Sequence, residues 1–214
     1  RVTSDPMSTT LSPAPLRARG GYAKGRAKQE QIIQAAIELF GEVGFHGASL
    51  RDISARAGIS HPGLLHHFTT KAELLAAVLA HRDEVDQAAL DADRAAGHSY
   101  FEAMTRLVEQ NQQRRALVEL FAALSAESTS PNHPAHGYFV ERYRDVAATM
   151  ESEFAALEQA GQLRVGADPA REARALIALM DGLQVQWLLS LDNDSASQLD
   201  MASDIRAHLA TVLR

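Results

Sequence analysis

ARAGISHPGLLHHF, Ala55 to Phe68, decides the fold. Gly58 stands where a helix C-terminus needs positive φ, and Ser60 can cap a new helix two residues later. Just upstream, Ser49-Leu-Arg-Asp52 has the hydroxyl-then-carboxylate spacing of a capping box, so a helix starts there with Leu50, Ile53 and Ala57 on one face. Two short helices joined by a turn make a helix-turn-helix. The second would bury Leu64 and Phe68, spaced i and i+4, and present His61, Pro62 and Gly63 outward, where they would meet base edges.

Outward from that stretch the chain reads as helical throughout. A first helix over about Lys24 to Val43 carries Ile33, Ile37 and Phe40 at i, i+4, i+7 and ends near Gly44. Thr70-Lys-Ala-Glu73 is a second capping box, opening a fourth helix that runs to about Ala96. Lys71 lies in its first turn, where an ammonium and free backbone N–H groups can hold a phosphate together. Ser99 opens a further apolar face through Met104, Leu107, Val108, Leu117, Leu120, Phe121 and Leu124; whether QNQQRR splits it into two helices stays open. Ser128 to Gly137, with Pro131 and Pro134, reads as a loop. Phe139 to Leu157 keeps a spacing of three or four up to Gly161. Asp168-Pro169 opens the next helix, whose stripe includes Leu176, Met180, Leu183 and Trp187. The last helix, from about Ser195, carries Met201, Ile205, Leu209 and Val212.

The net charge of −6 is unevenly spread. Residues 1–80 hold 9 Lys and Arg against 6 Asp and Glu, giving +3, while residues 81–214 hold 12 against 21, giving −9. Such a chain suits a protein that offers one end to phosphate and keeps the other away from it. Residues 1–23, rich in Ser, Thr, Pro, Gly and Ala, read as a disordered basic tail. A helix-turn-helix domain then spans 24–72 and a second helical domain 73–214. Zero cysteines exclude disulfides, thiolate metal sites and cysteine nucleophiles. No window approaches the length of a membrane span and nothing resembles a signal peptide, so a cytoplasmic protein without membrane contact is expected.

The run IIQAAIELFGEVGFHGASLRDIS, the turn AGIS and the closing HHFTTKAELL together resemble the tetracycline-repressor (TetR) family of bacterial regulators, over roughly residues 28–75. The resemblance implies an all-α fold: an N-terminal three-helix DNA-binding domain followed by a C-terminal helical domain for ligand binding and dimerisation. It also implies a homodimer formed through the last two helices, a palindromic double-stranded operator and release by a small-molecule effector. Repression is the expected output, with activation left open. One position departs from the family, which usually carries at Leu65 a tyrosine whose hydroxyl reaches a phosphate; leucine cannot make that bond.

The candidate DNA contacts are Ser49, Arg51, Ser60, His61, Pro62, Gly63, His66 and Lys71. Ser49, His66 and Lys71 are assigned to phosphates, and Arg51 and His61 to bases, arginine on guanine being the commonest specific contact. The effector wall is assigned to Phe101, Met104, Phe121, Tyr143, Met150, Met180, Gln184 and Trp187, whose character suggests an apolar or aromatic effector. No cofactor or metal is expected. Neither His66-His67 nor His133 with His136 has a metal-ligand arrangement, and no hydrolase, P-loop or dinucleotide motif is present, so the chain does not read as an enzyme. The rival is a helical small-molecule-binding or interaction protein without specific DNA binding, for which Leu65 is the supporting residue.

Overall fold

A computed structural model describes residues 17–191 and 199–214. Among them lie nine helices: α1 (Arg17–Gly47), α2 (Leu50–Arg56), α3 (His61–Leu65), α4 (Lys71–Ala95), α5 (Tyr100–Asn111), α6 (Arg115–Glu127), α7 (His136–Gln159), α8 (Pro169–Ser190) and α9 (Met201–Val212). The described residues form no strand; a single bridge pairs Leu163 with Leu213.

The starts of α2, α4 and α5 follow their capping residues. Ser49, Thr70 and Ser99 each accept the backbone N–H three residues on, and Glu102 returns the bond to Ser99 N at 2.7 Å. Asp168 does the same for α8 with Pro169 in its first turn. One boundary differs from the sequence reading, one left open there is decided, and one falls outside the described residues. Residues 17–23, read as tail, belong to α1, although Gly20 and Gly21 are poor helix formers; no proline follows Pro15 to stop the helix from extending back to Arg17. QNQQRR does split the next element, because α5 ends at Asn111 and Arg114 turns the chain with φ −124°, ψ 60°. The last helix begins at Met201 under an Asp200 cap; Ser195, the expected start, and residues 1–16 lie outside the described residues.

Two apolar cores form. In the first, Ile32, Phe40, Ile53, Leu64, Phe68 and Leu74 from the helix-turn-helix and the start of α4 pack with Leu120, Phe121 and Leu124 of α6 and Phe139 of α7. This core crosses the 72/73 boundary drawn from sequence. The second joins α5, α7, α8 and α9 through Phe101, Phe154, Leu176, Trp187 and Ile205, with the rings of Phe101 and Phe154 4.4 Å apart.

At the end of α1 the chain turns through Gly44, at φ 73° and ψ 175°. A β-carbon there would run into Glu127 Oε1 at the far end of α6. Glu127 is held in place because its Oε2 accepts the Phe45 N–H at 2.9 Å and lies 3.4 Å from His133 Nε2. Gly44→Ala is therefore expected to lower stability by about 1–3 kcal/mol, since it combines a left-handed alanine with the loss of this clamp. Urea unfolding measures it, and an unchanged midpoint would show that the clamp contributes nothing.

Candidate nucleic-acid interface and effector cavity

Helices α2 and α3 carry most of the candidate DNA contacts. Ser60 caps α3 by accepting Gly63 N at 3.2 Å, and Pro62 sits in the first turn. A β-carbon on Gly63 would stand 3.0 Å from the Ser60 hydroxyl, so glycine keeps that cap intact. Arg51, Ser60, Pro62 and His66 are exposed, as is Ser49. Arg56 is tied back to α1 by a two-pronged pair with Glu42 at 2.6 and 2.8 Å, which braces α2. Arg51 has no such partner among the described residues and keeps its five donors. His61 is half-buried with Nδ1 enclosed and unpartnered, which leaves Nε2 as its available nitrogen. The Ser49 hydroxyl is already engaged, donating to Asp52 Oδ2 at 2.5 Å while accepting Asp52 N.

Lys71 is placed differently from the sequence reading. Its ammonium donates to the carbonyls of Phe45 and Ala48, both at 2.7 Å, and stands 4.4 Å from the centroid of the Phe45 ring. The carbonyls left open where α1 ends attract a cation, and the first turn of α4 delivers one. The lysine thus fastens α4 to the α1–α2 turn rather than pointing its charge at solvent.

Behind the head, a cavity of about 1070 Å³ opens among α4, α5, α6, α7, α8 and α9. Of the eight wall residues named from sequence, Met104, Phe121, Met180 and Gln184 line it. Phe101, Met150 and Trp187 are buried in the second core instead, and Tyr143 turns its hydroxyl to Asp181 at 2.7 Å. Burial, helped by that carboxylate, raises the Tyr143 phenol well above its usual range, and burial also raises Asp181.

What the apolar spacing did not reveal is the charge in this wall. On α4, Asp83 receives both the Tyr138 hydroxyl, at 2.9 and 2.8 Å, and Arg142 at 2.6 Å. One turn on, Asp86 faces Arg82 and Arg114, each at 3.3 Å. The Arg82 guanidinium lies over the Phe121 ring, 4.0 Å from its centroid. Burial and the neighbouring Arg142 weaken its hold on its proton, while burial pushes the Tyr138 phenol up to about 12. α4, α7 and the start of α6 meet in one polar network in the cavity wall.

A helix-turn-helix head with an open recognition face, fused to a helical body with a cavity, defines a one-component DNA-binding regulator. The profile described as "Bacterial regulatory proteins, tetR family" matches residues 32–78, and that described as "BetI-type transcriptional repressor, C-terminal" matches residues 101–214. The chain belongs to the tetR family of bacterial transcriptional regulators. It is 28% identical over 166 residues to the HTH-type transcriptional regulator PksA of Bacillus subtilis (strain 168), covering 76% of this chain and 79% of that protein. With the HTH-type transcriptional activator FasR of Mycolicibacterium smegmatis it shares 37% identity over 81 residues, covering 36% and 37% of the two chains. A structure described as a putative transcriptional regulator from Saccharomonospora viridis in complex with choline has the same fold, with a TM-score of 0.72 at 21% identity, over 87% of this chain and 97% of that one. No helix among the described residues is long and apolar enough to cross a membrane.

Lys71→Met should lower stability by about 1–3 kcal/mol through the lost charge-assisted bonds to two carbonyls, while the slope of log affinity for DNA against log salt stays unchanged. Urea midpoints and a salt titration read the two separately; a shallower slope would return Lys71 to the phosphate contacts.

Proposed function

We propose that the chain is a repressor that binds a palindromic operator as a homodimer and is released when a small molecule occupies the cavity between α4 and α7. The observation that carries this reading is that one helix serves both ends. α4 starts at Lys71, clamped to the α1–α2 turn, and continues into the cavity wall through Arg82, Asp83 and Asp86. A ligand that pushes this wall moves the head with it. Differential affinity for the two head positions, amounting to about 1–3 kcal/mol in typical coupled systems, sets the response.

The pairing surface is assigned to α8 and α9. Val185 and Leu189, one helical turn apart on α8, are 48% and 73% exposed, an apolar stripe that a second copy would cover. Two heads so joined would meet half-sites centred about 34 Å apart or a multiple of it. Repression over activation follows the description of the profile that matches the body. The cavity's mixed lining modifies the sequence expectation: Met104, Val108 and Met180 suit an apolar ligand body, and Arg142 with Tyr138 suits polar groups at one end. DNA as target places the protein in the cytoplasm.

Bases are assigned to Arg51 and His61, and phosphates to Ser49, His66 and the exposed backbone of the Ser60-Pro62 turn. Arg51→Ala is expected to weaken binding to the preferred site by about 1–3 kcal/mol and to random DNA far less. Competition mobility-shift assays on the DNA flanking the chain's own gene provide both values. Equal losses on the two would reduce Arg51 to a phosphate contact, and no shift at all with folded protein would favour the rival without DNA binding.

A further inference from the structure

A second cavity, of about 460 Å³, lies between α1, α4 and the start of α6 and shares Arg82 and Leu117 with the effector cavity as a common wall. The two differ sharply in lining. The effector cavity is edged by Asp83, Glu84, Asp86, Asp91, Glu141 and Asp145. The second one presents Gln34, His81, Arg82, Gln113, Arg114 and Arg115, and among the described residues no carboxylate lines it.

Its donors are undersupplied with acceptors. The Arg82 side chain is only 9% exposed; its Nε is buried without a hydrogen-bond partner, as is Arg114 Nε, while its Nη1 makes no hydrogen bond and has Asp83 Oδ1 at 3.6 Å as a longer ion-pair partner. Asp86, which both arginines share, reaches just the Nη2 of each and belongs to the other cavity's wall. The N-terminus of α6 opens beside them. Its cap position is Arg114 itself, which offers no side-chain acceptor, and its first turn holds no acid, so that end of the helix dipole is uncompensated. Nearby acids stand outside the lining: Glu30 lies 3.7 Å from His81, and Glu119 accepts from Arg115 at 2.7 Å.

We infer that this second cavity is an oxyanion site, built for the carboxylate or phosphate group of a small metabolite. Arg82 and Arg114, turning slightly to bring their unpartnered N–H groups forward, grip the oxygens, and the α6 N-terminus completes the cradle. Its occupant touches α1 through Gln34, α4 through Arg82 and α6 through Arg114, which are the helices that fix the head on the body. An anion bound there favours the arrangement seen in this structure and, through the shared Arg82, bears on the wall of the effector cavity as well.

The test follows thermal unfolding of the full chain at fixed pH and ionic strength while chloride is exchanged for inorganic phosphate or for acetate. For at least one of the two, Tm should climb with the logarithm of concentration as a single saturable site requires. Gln113→Glu sets a carboxylate into the cavity beside the helix N-terminus. In chloride it should melt no lower than the unmodified chain, and its anion response should be abolished. Phosphate also stabilises proteins by exclusion from their surface, but that effect acts equally on both forms. A response to phosphate alone identifies a phosphate group, and one to acetate a carboxylate. An equal rise in both proteins, or none with either anion, overturns the site. Should Gln113→Glu not fold, calorimetric titration of phosphate and of acetate into the unmodified chain decides, with saturable heat from either supporting the site and its absence from both overturning it.

Discussion

Everything in this molecule depends on how closely α1 and α6 approach. A β-carbon on Gly41 would stand 3.0 Å from Leu120 N and 3.1 Å from Ala116 O, distances that force a neighbour to move. Glycine at that position lets the two backbones touch, and the touching lets Phe40 of the head pack into one core with Leu120 and Leu124 of the body. The DNA-binding domain therefore has no hydrophobic core wholly its own. It cannot tilt without disturbing α6, and Glu127, at the end of α6, holds the Phe45 N–H in the same turn that Lys71 fastens from the other side. Two attachments, from Glu127 and from Lys71, converge on residues 45–48. A signal arriving along either α4 or α6 reaches the helix-turn-helix through groups already in contact.

His133 shows how this junction is kept rigid. The Ala135 N–H donates to its Nδ1 at 3.1 Å, so the imidazole proton sits on Nε2 and faces Glu127. Burial lowers its affinity for a second proton against the pull of Glu127. The neutral ring, packed edge-on against Phe45 at 5.1 Å, is a spacer between body and head as much as a hydrogen-bonding group.

The local rules were legible in the sequence and the long-range ones were not. Ser49, Ser60, Thr70 and Ser99 announce their helices because capping is a matter of three residues, and the apolar spacing from Phe139 to Leu157 announces α7 for the same reason. Lys71 misled because its sequence neighbours fit a phosphate contact, whereas its partners are carbonyls 26 and 23 residues away. The effector wall misled similarly: Met150 and Trp187 have the character of a pocket wall but close the second core. Arg82, Asp83, Asp86 and Arg142 gave no periodic signal because charges on a long helix ordinarily face solvent. Their meeting is set by pairings up to 59 residues apart. Gly41 was equally silent, since nothing nearby in the chain shows which backbone will come close.

The same closeness bears on how DNA is read. α3 is five residues long, begins with Pro62 and Gly63 in its first turn, and carries an exposed Leu65 where a phosphate-binding hydroxyl would be useful. Ser49 spends its hydroxyl on Asp52, so its remaining capacity for a phosphate is small. With few side chains able to test base edges, discrimination under the proposed function comes from Arg51 and from the width and stiffness of the duplex that a rigid head can fit. Rigidity is what the junction at residues 44–48 provides. A head with many reading groups could tolerate play at its attachment; this one cannot, because shape is informative only to a surface that does not adjust to it. On the proposed function, the clamps that would carry an effector's signal outward are the same ones that would make the head selective.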